Sequence, residues 1–306
     1  MLAYSAVLAA FLSMLIFSSF HEQESQASQV QAQPMPEFRQ HISSFDLNKT
    51  FTLAGEPIPA GNADALERLE RELIVNTYYH SASLLNLKMA YRYFPVIEEI
   101  LKENGVPVDF KYLAVAESNL RMAVSPSGAK GLWQFMKPAG IAQGLEINAE
   151  VDERYHVEKS TEAACQYILY LKERFGSWTL AAAAYNMGET RLSQEMNVQK
   201  AKTYYELNLN QETSRYVFRI IAIKEIMENP EKFGYFVQKE EGYRPLTDYK
   251  TIIVDTAVTS LADLAIENGT DYRQLKVYNP WLIESRLSNR SKKSYEIRIP
   301  NPPSSN

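Results

Sequence analysis

Between residues 62 and 235 the sequence repeats one device, an apolar stripe at three-and-four spacing cut off by glycine, proline or asparagine. Leu66, Leu69, Leu73 and Ile74 make one stripe; Tyr91, Phe94, Ile97 and Leu101 make another. Gly105 stops the second and Pro107 prevents its resumption. Pro95 marks a new helix start or a kink. The spacing predicts further helices over about 160–175 (Ser160 or Thr161 as cap), 178–187 (Ser177 as cap, Gly188 as stop) and 211–228, ended by Asn229-Pro230. Residues 131–137 are amphipathic as well, until Pro138 interrupts them. Helices joined by short turns fold as one compact helical domain.

After Gly242 the character changes. Thr251-Ile252-Ile253-Val254 and Tyr295-Glu296-Ile297-Arg298-Ile299 are strand signals, with two short helical segments between them, capped by Ser260 and Asp271. This β-α-α-β unit is near the lower limit for folding alone. The other end differs again. Leu2 to Phe20 is almost wholly apolar and uncharged, an export signal or a retained membrane anchor. Residues 21–61 are Gln-, Ser- and Pro-rich and read as a flexible polar linker, with Phe45-Asp46-Leu47 and Phe51-Thr52-Leu53 as short stretches able to order. The boundaries are therefore 1–20, 21–61, 62–240 for the helical domain and 245–306 for the tail.

The most unusual side chain lies on a helical face that should be apolar. Phe110, Leu113 and Ala114 share that face, and Glu117 continues it. Asp109 is placed to cap this helix. Burial disfavours a charged carboxyl, and so does the negative end of the helix dipole. A glutamate held neutral near physiological pH can act as a general acid. The competing reading is a glutamate at a fraying helix end that reaches water.

Composition excludes several functions. With a net charge of -5 and no long Lys/Arg block, the chain is not built for nucleic acid. No Gly-rich phosphate loop is present. Cys165 is the only cysteine, so no internal disulfide forms, and His21, His41, His80 and His156 lack ligand spacing. No metal or cofactor is called for.

Four short motifs surround or follow Glu117. They are Ala116-Glu117-Ser118; Ser125-Pro126-Ser127-Gly128-Ala129 leading into Gly131-Leu132-Trp133-Gln134-Phe135-Met136; Ala184-Tyr185-Asn186-Met187-Gly188; and Glu212-Thr213-Ser214-Arg215-Tyr216-Val217. Their order resembles that of lytic transglycosylases of the soluble-lytic-transglycosylase type, in the manner of the membrane-bound lytic transglycosylase D branch. The resemblance covers about residues 75–235. It implies a mainly α fold with a goose-lysozyme-like catalytic domain, acting on peptidoglycan glycan strands. The tail resembles a LysM module, a family that binds N-acetylglucosamine-containing glycans. Asp255-Thr256 fits that pattern, but Val254 stands where a glycine is usual.

The resemblance also implies a mechanism. Glycosidases ordinarily need two carboxylates, and here the motifs supply only Glu117 at a catalytic position; Glu212 starts a helix, where an acid serves the dipole. In such enzymes one glutamate acts twice. Glu117 would protonate the oxygen between N-acetylmuramic acid and N-acetylglucosamine while the substrate's acetamido oxygen steadies the cation. The resulting carboxylate would then take the C6 hydroxyl proton, and ring closure would give a 1,6-anhydro end.

Around Glu117, the resemblance makes Ser118, Ser125, Gln134, Tyr185, Asn186 and Tyr216 substrate-binding candidates. Each also has a structural reading. Ser118 would close the helix, Ser125 would serve the turn, Gln134 would be a surface amide, Asn186 a helix-end residue and Tyr216 a core aromatic. Tyr185 follows four alanines, which allow close packing and could bring it to a cleft floor. The location implied is exported, in the periplasm or cell envelope, with possible membrane association through the N-terminal segment. Two rivals remain: a lysozyme-like hydrolase with a second acid, and a non-catalytic wall-binding protein.

Overall fold

In the computed structural model residues 44–301 are described; the apolar run 1–20 and the linker as far as residue 43 lie outside them. The described chain from Phe45 to Asn301 belongs to one compact unit. Among the described residues no helix is long and apolar enough to cross a membrane.

The first element among the described residues falls on Phe51-Thr52-Leu53, one of the stretches expected to order within the linker. β1 (Thr52–Leu53) and β2 (Glu56–Pro57) form a small antiparallel hairpin, and Phe51, Leu53 and Ile58 enter the main core. Glu56 accepts hydrogen bonds from the backbone N–H groups of Trp178 (2.6 Å) and Thr179 (2.9 Å). Part of the segment expected to be a tether thus caps a helix far along the chain, held there by the buried Phe51, Leu53 and Ile58.

The helical body follows: α1 (Ala63–Tyr78), α2 (His80–Glu103), α3 (Lys111–Ser118), α4 (Lys137–Ala142), α5 (Val157–Phe175), α6 (Trp178–Met187), α7 (Glu189–Gln199) and α8 (Gln211–Glu228). α8 is the central helix, packing on α1, α3 and α6. Its Val217, Phe218, Ile220 and Ile221 are fully buried. α6 ends where Gly188 stops it, and Ser177 caps it by accepting from Leu180 N at 3.1 Å. Its Ala181–Ala184 run has no exposed surface, which lets α6 lie close to α5 and α8.

Three local expectations change. α5 begins at Val157 rather than 160; Ser160 and Thr161 lie inside it and return their hydroxyls to the Val157 carbonyl at 3.3 and 2.6 Å. Asp109 does not cap α3, because its carboxylate accepts from Ala54 N (2.8 Å) and Lys224 Nζ (2.6 Å). Residues 131–135 form a turn, not a helix, and the helix α4 starts only at Lys137 with Pro138 in its first turn, where a missing N–H costs nothing. Pro95 sits within α2, which runs through it.

The tail has the expected order. β3 (Tyr249–Val254) and β4 (Tyr295–Pro300) pair antiparallel, Tyr249 opposite Pro300 and Val254 opposite Tyr295, with α9 (Leu261–Glu267) and α10 (Tyr272–Tyr278) between them. Its core holds Leu261, Leu275, Leu282, Ile297 and Ile299, and also Val151 from the helical body.

Candidate active site

α3 ends at Asn119, whose φ of 51° places it in the left-handed region and turns the chain away. Glu117 is thus in the last turn, on a half-buried side chain at the junction with α8. The Tyr216 hydroxyl of α8 donates to Glu117 Oε1. Tyr216 is itself buried.

Burial is the main influence on the Glu117 carboxyl and pushes its pKa up to about 7. The Tyr216 hydrogen bond pulls the other way, the charge of Glu212 adds to the rise, and Arg219 opposes it. The two facing tyrosines stay protonated. Burial and then the charge of Glu117 hold the hydroxyls of Tyr185 and Tyr216 well above their ordinary range.

The remaining candidates divide into two groups. Tyr185 of α6 feels the Glu117 charge, and Asn186 follows it in the chain. The Tyr185 hydroxyl donates to the Trp133 carbonyl at 2.7 Å, joining the third motif to the second. Asn186 Oδ1 accepts from the buried Thr213 hydroxyl at 2.9 Å, joining the third to the fourth. That bond fixes the Asn186 amide with its NH₂ turned from Thr213. Such an amide can donate to an acetamido oxygen.

Ser118, Ser125 and Gln134 are bound to backbone. The buried Ser118 donates to the Ala114 carbonyl at 3.0 Å. Ser125 Oγ accepts from Ala129 N and pairs with Ser127 Oγ, each at 2.9 Å. Gln134 adopts φ of 50° and donates to the carbonyls of Gly131 (2.8 Å) and Ala123 (3.2 Å). Its Nε2 is occupied, which leaves Oε1 as the group able to meet a ligand.

The turn that carries Gln134 needs an external clamp. The buried Arg154 donates from Nη1 to the carbonyls of Phe135 (3.1 Å) and Gly128 (3.3 Å). Asp152 holds the guanidinium by a two-point bond at 2.8 and 2.7 Å. Burial opposes the Asp152 charge, but Arg154 and Lys130 outweigh it and keep its pKa below the usual range. Gly131 lies against this clamp: with φ of 81°, a Cβ there would meet the Arg154 carbonyl oxygen at 1.9 Å.

Sequence reasoning missed Arg154 and one further group. The fully buried Glu72 of α1 takes Arg215 Nη2 at 3.3 Å and Arg219 Nε at 3.7 Å, and Arg219 Nη1 also reaches Glu212 at 3.1 Å. The spacing of Glu212, Arg215 and Arg219 along one face of α8 was the available signal. A cavity of about 860 Å³ between α2 and residues 237–245 has none of the candidate residues in its lining. Among the described residues no group of three or more His, Cys, Asp and Glu side chains is placed to hold a metal ion.

Comparison with known proteins gives matches to two parts of the chain. Residues 94–208 match the Transglycosylase SLT domain, and residues 250–303 match the soluble lytic transglycosylase C-terminal LysM-like domain. The chain therefore carries an SLT-type transglycosylase domain followed by a LysM-like domain. The membrane-bound lytic murein transglycosylase D of Escherichia coli (strain K12) is 29% identical over 230 residues, which are 72% of this chain and 48% of that protein. Its counterpart in Escherichia coli O6:H1 matches to the same extent. The chain spans about half the length of these curated relatives. Among solved structures, the 70 kDa soluble lytic transglycosylase from Escherichia coli superposes with a TM-score of 0.42 at 16% identity, covering 56% of this chain and 31% of that one.

Proposed function

We propose that this protein is a peptidoglycan lytic transglycosylase that cleaves the β-1,4 bond between N-acetylmuramic acid and N-acetylglucosamine and leaves 1,6-anhydromuramic ends. The observation that carries the reading is Glu117, a carboxyl with pKa near 7 beside the Tyr216 hydroxyl, where four motifs meet. A group that must give a proton and then take one back works best when its pKa lies near the working pH. The expected carriers of substrate are Asn186 through its amide, Gln134 through Oε1, and the Tyr185–Trp133 wall beside them.

The chemistry balances without a water. The Glu117 proton goes to the leaving glycosidic oxygen as the C1–O bond breaks. The acetamido oxygen of the substrate supports C1 meanwhile. The Glu117 carboxylate then accepts the C6 hydroxyl proton as O6 bonds to C1, and the acid is restored. Tyr216 favours the carboxylate stage by donating to it. Ser125 and Ser118 contribute by shaping the turn and the helix end around the site.

The setting follows from the same reading. The Escherichia coli relatives are named membrane-bound lytic murein transglycosylases, and the apolar run Leu2–Phe20 suits export or anchoring. We therefore assign the protein to the cell envelope, with its LysM-like tail as a second glycan contact. The test is mass spectrometry of products from purified peptidoglycan, with Glu117→Gln alongside. Anhydro ends from the parent chain alone are expected. Products heavier by one water would instead indicate a hydrolase, and intact substrate with retained binding would indicate a wall-binding protein.

A further inference from the structure

Residues 146–158 have two working sides. One side grips the turn that carries Gln134, through Arg154 and its partner Asp152. The other side is built into the C-terminal domain. The Val151 side chain is fully buried among that domain's own core residues. Asp152 N donates to the Trp281 carbonyl at 2.9 Å, and Ile283 N donates to the Glu150 carbonyl at 3.0 Å. Glu150 Oε2 accepts from Ser288 N and Oγ at 2.8 and 2.7 Å. On either flank Glu146 takes Lys293 at 2.8 Å, and Glu158 takes Arg298 at 2.6 Å.

The two sides are separated by very little chain. Val151 is anchored in the tail, Asp152 is bonded to the tail through its N–H and to Arg154 through its carboxylate, and Arg154 holds the turn. A packed interior does not absorb small shifts continuously, so displacing residue 151 must displace residue 154.

We propose that the C-terminal domain positions the active-site turn: by holding Glu150–Asp152 it sets Arg154, and Arg154 sets Gly128–Phe135. Val151 and Arg154 are then positioning residues that touch no substrate. What they place is Gln134 and the Trp133 carbonyl that receives Tyr185. The functional consequence rests on the reading of the cleft as glycan-cleaving, whereas the mechanical link does not.

The experiment is hydrogen exchange read by mass spectrometry on the full chain, comparing Val151→Asp with Val151→Ile, with turnover of short soluble glycan strands measured on the same samples. A carboxylate cannot stay among Leu282 and Ile297, so Val151→Asp expels the segment from the tail. Exchange at residues 128–135 is expected to speed up by about tenfold or more while the Trp178–Met187 helix stays protected. The kcat is expected to fall about ten- to a hundredfold with a smaller change in KM, as misplacement near the chemistry does. Val151→Ile keeps both at the parent level. Should Val151→Asp not fold, Val151→Ala and Ser288→Ala give the same pair of readouts in smaller steps. Faster exchange at β3 with unchanged exchange at 128–135 and unchanged kcat would overturn the proposal. A parent chain that turns over no glycan would sink the functional reading, and exchange alone would then decide this one.

Discussion

Two glutamates, Glu117 in the cleft and Glu158 at the tail junction, show how the same side chain is given opposite characters. For each, burial is the largest influence and favours the neutral form. At Glu117 the direct partner is a neutral tyrosine hydroxyl, too weak to cancel burial, and the pKa rises to about 7. At Glu158 the partners are His156 and Arg298, whose hydrogen bonds and the Arg298 charge outweigh burial and bring the pKa down to about 2. A cation within reach separates a structural acid from one able to exchange protons near neutral pH. Among the described residues no cation bonds Glu117 directly: Arg219 acts on it from a distance while paired with Glu72 and Glu212.

The stability consequences have opposite signs as well. Glu117 titrates in the unfolded chain near 4.5 and in the folded chain near 7. It therefore costs nothing below pH 4.5, and folded stability erodes as pH rises toward 7. Glu158 contributes stability above pH 4.5 that is lost as pH falls toward 2.

The strongest way to break this contrast is Glu117→Gln. Turnover of peptidoglycan should drop by about 10²–10⁴-fold or more, since acid–base help of that size is removed. Its melting temperature should exceed that of the parent above pH 7 and equal it below pH 4.5. A variant that keeps parental turnover would remove Glu117 from the mechanism. Next in size is Gly131→Ala, which sets a methyl against the Arg154 carbonyl. Denaturant unfolding should show a loss of at least about 2 kcal/mol, with a disproportionate loss of activity. Unchanged stability and activity would mean that the turn tolerates displacement from its clamp.

Tyr216→Phe sharpens the comparison by taking from Glu117 its direct hydrogen-bond partner among the described residues. The Tyr216 bond lowers the Glu117 pKa, so its loss raises that pKa further above 7. The alkaline limb of the pH–rate profile of kcat/KM should move upward, and the rate at neutral pH should fall by about tenfold, the worth of one hydrogen bond to a charged group. A limb that stays in place would show that another group sets it.

Much of this architecture was legible in the chain. α6 and α8 carry their own punctuation in Ser177, Gly188 and Asn229-Pro230, so their bounds follow from local chemistry. Glu117 stood out because a carboxylate occupied an apolar face. What escaped notice depends on distant partners. Residues 131–135 look like a helical turn, yet Gly131 and Gln134 take positive φ and the turn is held by Arg154, a side chain about twenty positions on. Asp109 looks like a cap but is claimed by Ala54 and Lys224. Glu72 meets Arg215 across 143 positions, a pairing that no local pattern announces. The dependence of the turn on the tail is of the same kind, because Val151 reads as an isolated valine until its surroundings are known.

The smallest expected effect tests the other glutamate. Arg298→Ala removes the cation from Glu158 and leaves His156, which lies 3.2 Å from Oε2, as its neighbour. Both side chains of the Arg298–Glu158 pair keep about a quarter of their surface exposed (26% and 28%), so solvent offsets part of the loss. A decrease of about 1–2 kcal/mol at neutral pH is the expectation. The pH dependence is the sharper readout. With Glu158 less depressed, its contribution between pH 4.5 and 2 shrinks, and the variant should lose less stability than the parent on acidification across that range. Parallel acid titrations of the two proteins would show that Arg298 packs the junction without tuning the acid. In that case His156 alone would have to overcome burial to give the low pKa, and the contrast with Glu117 would rest on the imidazole.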